Sequence, residues 1–81
     1  MRFEDLVDEE RDRQDRKWGE QNHEPYFWLA ILVEEAGELA RAMLENIKWG
    51  HNHAEGIEEE LIQVAAVAKA IWESGKRNSW L

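Results

Sequence analysis

Apolar residues recur at intervals of three and four over three stretches of the chain, the spacing of helices with one buried face. The first stretch covers about residues 2–17, lacks Gly and Pro, and starts an apolar stripe at Phe3, Leu6 and Val7. Carried on by threes and fours, that stripe becomes Glu10, Gln14, Lys17 and Trp18. A face that begins as core ends as hydrogen-bonding groups closed by an indole. Either the helix leaves the core there, or its end borders a polar pocket. Arg11, Asp12, Arg13, Asp15 and Arg16 read as a mixed-sign solvent surface. Gly19 suits the end of this helix and Pro25 the first turn of the next.

The second helix is predicted over residues 25–48. Leu29, Val33, Ala36, Ala40, Leu44 and Ile47 widen its apolar stripe beyond what one partner needs, so it is expected to pack on two sides. Trp49–His53 reads as a loop, with Asn52 and Glu55 as a capping box for the third helix. That helix is predicted over 53–74, with Ile57, Leu61, Val64, Ala65, Val67, Ala68, Ile71 and Trp72 on its apolar arc. Glu58, Glu59, Lys69 and Glu73 face away. The tail 75–81 ends in Trp80-Leu81, which either docks on a neighbouring subunit or is disordered.

Two acids interrupt this pattern. At ~100° per residue, Glu35 falls among Trp28, Ile31, Leu39 and Ala42, and Glu38 lies ~60° to one side. Glu34, Arg41, Glu45 and Lys48 form the solvated face. On the third helix Glu60 sits between Ile57, Val64 and Val67, with Gln63 again ~60° aside. A carboxylate moved toward a core without a partner becomes protonated or costs several kcal/mol. Either these acids reach water at the margin of each face, or a cation compensates them. The same offset on two helices favours convergence, because antiparallel neighbours bring the two pairs face to face. Three carboxylates and an amide oxygen form a hard-oxygen set suited to Mg²⁺ or Mn²⁺. A di-iron bundle would call for Glu-x-x-His, and no His follows Glu35 or Glu60 at that spacing. His51-x-His53 and His23 read as surface groups before ligands.

Composition narrows the field further. The 81 residues make one small domain, 1–81, carrying five Trp, two Phe and one Tyr. Three short helices cannot hide that aromatic load alone, so self-association into a homo-oligomer is expected. A net charge of −8 with little basic clustering argues against nucleic-acid binding. An acidic protein that handles polyphosphate needs metal ions to bring the charges together. No cysteine is present, which excludes thiolate catalysis and accords with a cytoplasmic protein. No apolar run is long enough to span a membrane, and none reads as a signal peptide.

Glu34-Glu35-Ala36-Gly37-Glu38 followed by Glu59-Glu60-Leu61-Ile62-Gln63 resembles the paired E-E-x-x-E and E-E-x-x-D motifs of MazG-like nucleotide pyrophosphohydrolases, members of the all-α NTP pyrophosphatase superfamily. The entry Arg16-Lys17-Trp18-Gly19-Glu20-Gln21 is similar to that of small MazG-like proteins. The resemblance covers about residues 10–74. It implies Mg²⁺-dependent hydrolysis of a nucleoside triphosphate to monophosphate and pyrophosphate. It also implies a dimer or tetramer whose paired helices form four-helix bundles. Glu35, Glu38 and Glu60 would be the catalytic and metal-binding acids, with Gln63 in the position of the family's Asp. A neutral amide there adds no charge and weakens metal binding. A non-catalytic nucleotide- or metal-binding regulator on the same fold is therefore the alternative. Gln14, with a donor and an acceptor, Trp18, with a flat apolar face, and Lys17, within reach of a phosphate, are the expected nucleotide contacts. The other reading of Trp18 is a core residue anchoring the first loop. The base preference is open, and phosphoribosyl-ATP, the substrate of a related branch, is a further option.

Overall fold

A computed structural model describes residues 1–48 and 56–81. Its described residues form three helices and no strand: α1 (Phe3–Trp18), α2 (Pro25–Lys48) and α3 (Ile57–Arg77). The all-α expectation holds. The expected Asn52–Glu55 capping box and the start of α3 at His53 lie outside the described residues, as does the His51-x-His53 pair.

The helix ends follow from local chemistry. Asp5 accepts a bond from the Arg2 backbone N–H at 3.1 Å, which closes the start of α1. Gly19, at φ 73°, ends α1 in a region that a side chain would strain, and its N–H donates to the Asp15 carbonyl at 2.8 Å. Glu59 accepts from the Gly56 N–H at 2.7 Å at the start of α3.

The end of α3 departs from expectation. The helix passes through Ser74 and Gly75 and stops at Arg77. Gly75 does not break it. Instead, the tail folds back over this residue. The N–H groups of Trp80 and Leu81 donate to the Gly75 carbonyl at 3.0 and 3.2 Å. A Cβ on Gly75 would meet Leu81 Cδ1 at 2.5 Å, so the glycine is the space that the Leu81 side chain fills. The tail thus docks on its own helix, where a neighbouring subunit or disorder was expected.

α3 is the shared partner. It packs on α1 and on α2, while α1 and α2 do not pack on each other among the described residues. The core is accordingly thin: Val7, Trp28, Ala66, Val67 and Ala70. Trp28 is pinned by its indole N–H, which donates to Ser74 Oγ at 3.3 Å. Leu61 and Trp72, expected on the buried arc of α3, are exposed. The second packing side of α2 is open within one chain: Leu29 is 59% and Val33 61% exposed, and Ala36, Ala40 and Leu44 lie exposed with them.

Candidate functional site

Because α1 and α2 stand apart across α3, a gap remains between them, floored by α3. It is a cavity of about 220 Å³. Apolar walls come from Trp28 and Ile31 of α2 and from Val67 and Ala70 of α3. Polar groups come from Arg11, Gln14 and Asp15 of α1, from Glu35 and Gln63 at one end, and from Gln21 and Arg77 at the other. Gln63 and Arg77, 14 positions apart on α3 (77 − 63), are the first and last of the cavity's lining residues on that helix.

At the Glu35 end, α2 and α3 bring three acids together. Ligand oxygens of Glu35, Glu38 and Glu60 all lie within 4.8 Å of one another. Glu35 and Glu60 are half-buried, and Glu38 is exposed. The pattern placed Glu35 and Glu60 inside the apolar faces and Glu38 at the margin, and the burial follows that order. Glu60 Oε2 is buried and has no hydrogen-bond partner. Desolvation, then the nearby Glu38 and Glu60 charges, raise the Glu35 pKa above the ordinary carboxylate value. Desolvation, then Glu38, raise that of Glu60. An acceptor-only oxygen with nothing to accept from, set among other carboxylates, fits a cation. These residues can hold a divalent ion of the hard, oxygen-seeking kind.

No family model, no curated protein and no solved structure matches this chain. The site therefore has to be judged on its own chemistry.

Gln63, the fourth expected ligand, is turned toward α1. Its Oε1 accepts from Gln14 Nε2 at 3.3 Å, and its side chain lies near enough to Glu10 to help lower that acid's pKa. Glu10 is held below the ordinary carboxylate value, first by the Arg13 hydrogen bond, with Gln63 and Gln14 adding to it against the cost of burial. Of the expected nucleotide contacts, Gln14 is buried in the α1 side of the cavity and Trp18 stands at its rim, 54% exposed. That exposure rules out the core reading of Trp18. Lys17 does not line the cavity; it is exposed, with its ammonium 4.7 Å from the Trp18 ring centroid.

Arg11 is the largest correction. Assigned by pattern to the solvent surface, it is 8% exposed. Glu73, expected to face away, receives it: Arg11 Nε and Nη2 donate to Glu73 Oε1 at 2.9 and 2.7 Å. Burial works against the Arg11 charge, but Glu73 and Asp15 outweigh it and raise its pKa. The signal was present in the sequence. Val7, Arg11 and Gln14 are spaced i, i+4, i+7, a stripe in its own right. Arg77, also missed, lines the far end of the cavity and donates to the Gln21 carbonyl at 2.9 Å and Asn22 Oδ1 at 3.1 Å. It thereby ties the loop after α1 to the end of α3.

Proposed function

We propose that the protein is a divalent-metal-dependent nucleoside triphosphate pyrophosphohydrolase, cleaving a triphosphate to monophosphate and pyrophosphate. The observation that carries this reading is the convergence of Glu35, Glu38 and Glu60 from two helices around a buried, unpartnered Glu60 oxygen, beside a cavity that Glu35 and Trp28 both line. The resemblance of Glu34–Glu38 and Glu59–Gln63 to MazG-like motifs supports it. Glu35, Glu38 and Glu60 would hold Mg²⁺, or Mn²⁺ in its place. Such an ion supplies neutralisation of phosphate oxygens and a water of lowered pKa. The chain's own part is to fix the acids on two helices packed against each other and to seat the organic end of the substrate beside them.

Homo-oligomerisation belongs to the same reading. The exposed apolar side of α2, with Leu29, Val33, Ala36, Ala40 and Leu44, is the face that a second copy would cover to complete a four-helix bundle. We place the enzyme in the cytoplasm on the absence of cysteine.

One observation favours the regulator alternative. Gln63 brings no charge to the acids and is engaged with Gln14 on α1. The test is pyrophosphate release from a panel of ribo- and deoxyribonucleoside triphosphates with Mg²⁺ or Mn²⁺. Release by wild type that disappears in Glu38→Gln and Glu60→Gln establishes the enzyme. Silence in wild type, with measurable nucleotide binding, establishes the regulator.

A further inference from the structure

We infer that the cavity takes a heterocyclic base edge-first, and that Arg11 reads this edge together with Gln14. The inference rests on the nucleotide reading above and deepens it. The sequence pattern gave Arg11 no part in the site.

A guanidinium has five N–H groups and no acceptor. Arg11 Nη1 lies 2.9 Å from Gln14 Oε1, so that end of the Gln14 amide must be the oxygen. Its nitrogen then faces Glu10 Oε2 at 3.2 Å and Gln63 Oε1 at 3.3 Å, which uses both amide protons. Gln14 therefore keeps one Oε1 lone pair and no proton for a ligand. Arg11 commits Nε and Nη2 to Glu73 and Nη2 again to Asp15 Oδ1 at 3.0 Å. One Nη1 proton remains without a partner among the described residues. The α1 side of the lining thus keeps one uncommitted donor beside one uncommitted acceptor.

That couple complements a planar ring edge on which an N–H or amino group adjoins a carbonyl or a ring nitrogen, the arrangement on the pairing edge of a nucleobase. It does not suit a phosphate, whose oxygens would meet the Gln14 acceptor and gain little net charge. The charged groups of the lining, Arg11 and Arg77 against Asp15 and Glu35, sum to zero. The flat faces of the ring would lie between the walls of Trp28, Ile31 and Val67, with the Trp18 indole at the rim. Size agrees. At about 220 Å³ the cavity is smaller than the ~300–1,000 Å³ of sites that enclose a whole drug-sized ligand. It suits the base alone, with sugar and phosphates running out toward the carboxylates.

The test uses the intact wild-type chain and nitrogen-15 NMR of the Arg11 Nε–H and the Gln14 side-chain amide, without divalent metal. The probes are the four nucleoside 5′-monophosphates, their counterparts methylated on the pairing edge, and ribose 5-phosphate. At least one monophosphate should shift both signals, its edge-methylated counterpart should bind at least about tenfold more weakly, and ribose 5-phosphate should leave both still. Arg11→Lys keeps the charge near Glu73 but loses the fork, and should weaken nucleotide binding about tenfold or more with Mg²⁺ affinity unchanged. Circular dichroism checks that the variant is folded. Equal binding of the methylated nucleotide, or shifts produced by ribose 5-phosphate, overturn the inference. If triphosphates bind and are cleaved with Mg²⁺ while both signals stay still, this inference falls and the pyrophosphohydrolase reading stands. If neither nucleotide nor metal binds, both fall.

Discussion

Replacing Glu60 by Gln should make the metal-free protein more stable at neutral pH. The ligand oxygens of Glu35, Glu38 and Glu60 lie within 4.8 Å of one another. Two unit charges at about 4 Å repel by ~1 kcal/mol in water and ~4 kcal/mol at an effective dielectric of 20. Glu38 is exposed, so the lower figure governs. A buried oxygen without a donor, such as Glu60 Oε2, costs ~1–3 kcal/mol more. Partial proton uptake relieves some of this, which puts the gain at about 1–2 kcal/mol. For a domain of this size the melting temperature should rise by about 4–16 °C. The effect has a defined pH dependence. Glu35 and Glu60 are raised above their ordinary value of 4.5. Their protonation therefore stabilises the fold fully below pH 4.5, and this contribution is lost as pH rises through the folded-state values. Thermal unfolding in chelator at pH 7 and pH 4 should show Glu60→Gln well above wild type at pH 7, with the gap closing at pH 4. Saturating Mg²⁺ should reverse the order, since a ligand at a hundredfold its Kd stabilises by ~2.7 kcal/mol. A Glu60→Gln variant less stable than wild type in chelator at pH 7 would refute the reasoning. It would mean that the carboxylate is a structural anchor and not a strained acceptor.

Gln63→Asp, one methylene shorter, should stretch the bond it accepts from Gln14 and set a charge near Glu10, lowering stability by about 1 kcal/mol in chelator, read by urea unfolding. Arg11→Met should leave Glu73 half-buried without its partner and lower the melting temperature, with a cost of about 2 kcal/mol; Glu73→Gln, which keeps an acceptor, should cost less. Gly75→Ala should destabilise by about 1–3 kcal/mol through overlap with Leu81, and Leu81→Ala in the same chain should recover most of that loss. Val33→Glu on the open face of α2 should yield a smaller particle by light scattering than wild type at the same concentration, with helix content retained.

The helices and the acid cluster were legible in the sequence because each depends on one helix's own periodicity. Glu35 and Glu60 stood out as charges on apolar faces, and this needs no knowledge of what the faces meet. What the sequence concealed depends on pairs of helices. Arg11 looked solvated because it stands in a run of mixed sign with Asp12, Arg13, Asp15 and Arg16. Its burial depends on Glu73, 62 residues away, arriving on α3 to take the charge. Gln63 shows the same limit more sharply. Its place three residues after Glu60 made it a fourth ligand by analogy with Glu38. Yet an amide differs from a carboxylate in having protons to give, and Glu10 on α1 lies within reach as a taker. Helical geometry placed this side chain at the margin of the acids, and its chemistry turned it toward the seam with α1. The amide beside the acid cluster also accepts from Gln14, and so holds that side chain in a fixed orientation. A carboxylate at this position would add charge to the acid cluster while setting a like charge beside Glu10, so the two demands on residue 63 oppose each other.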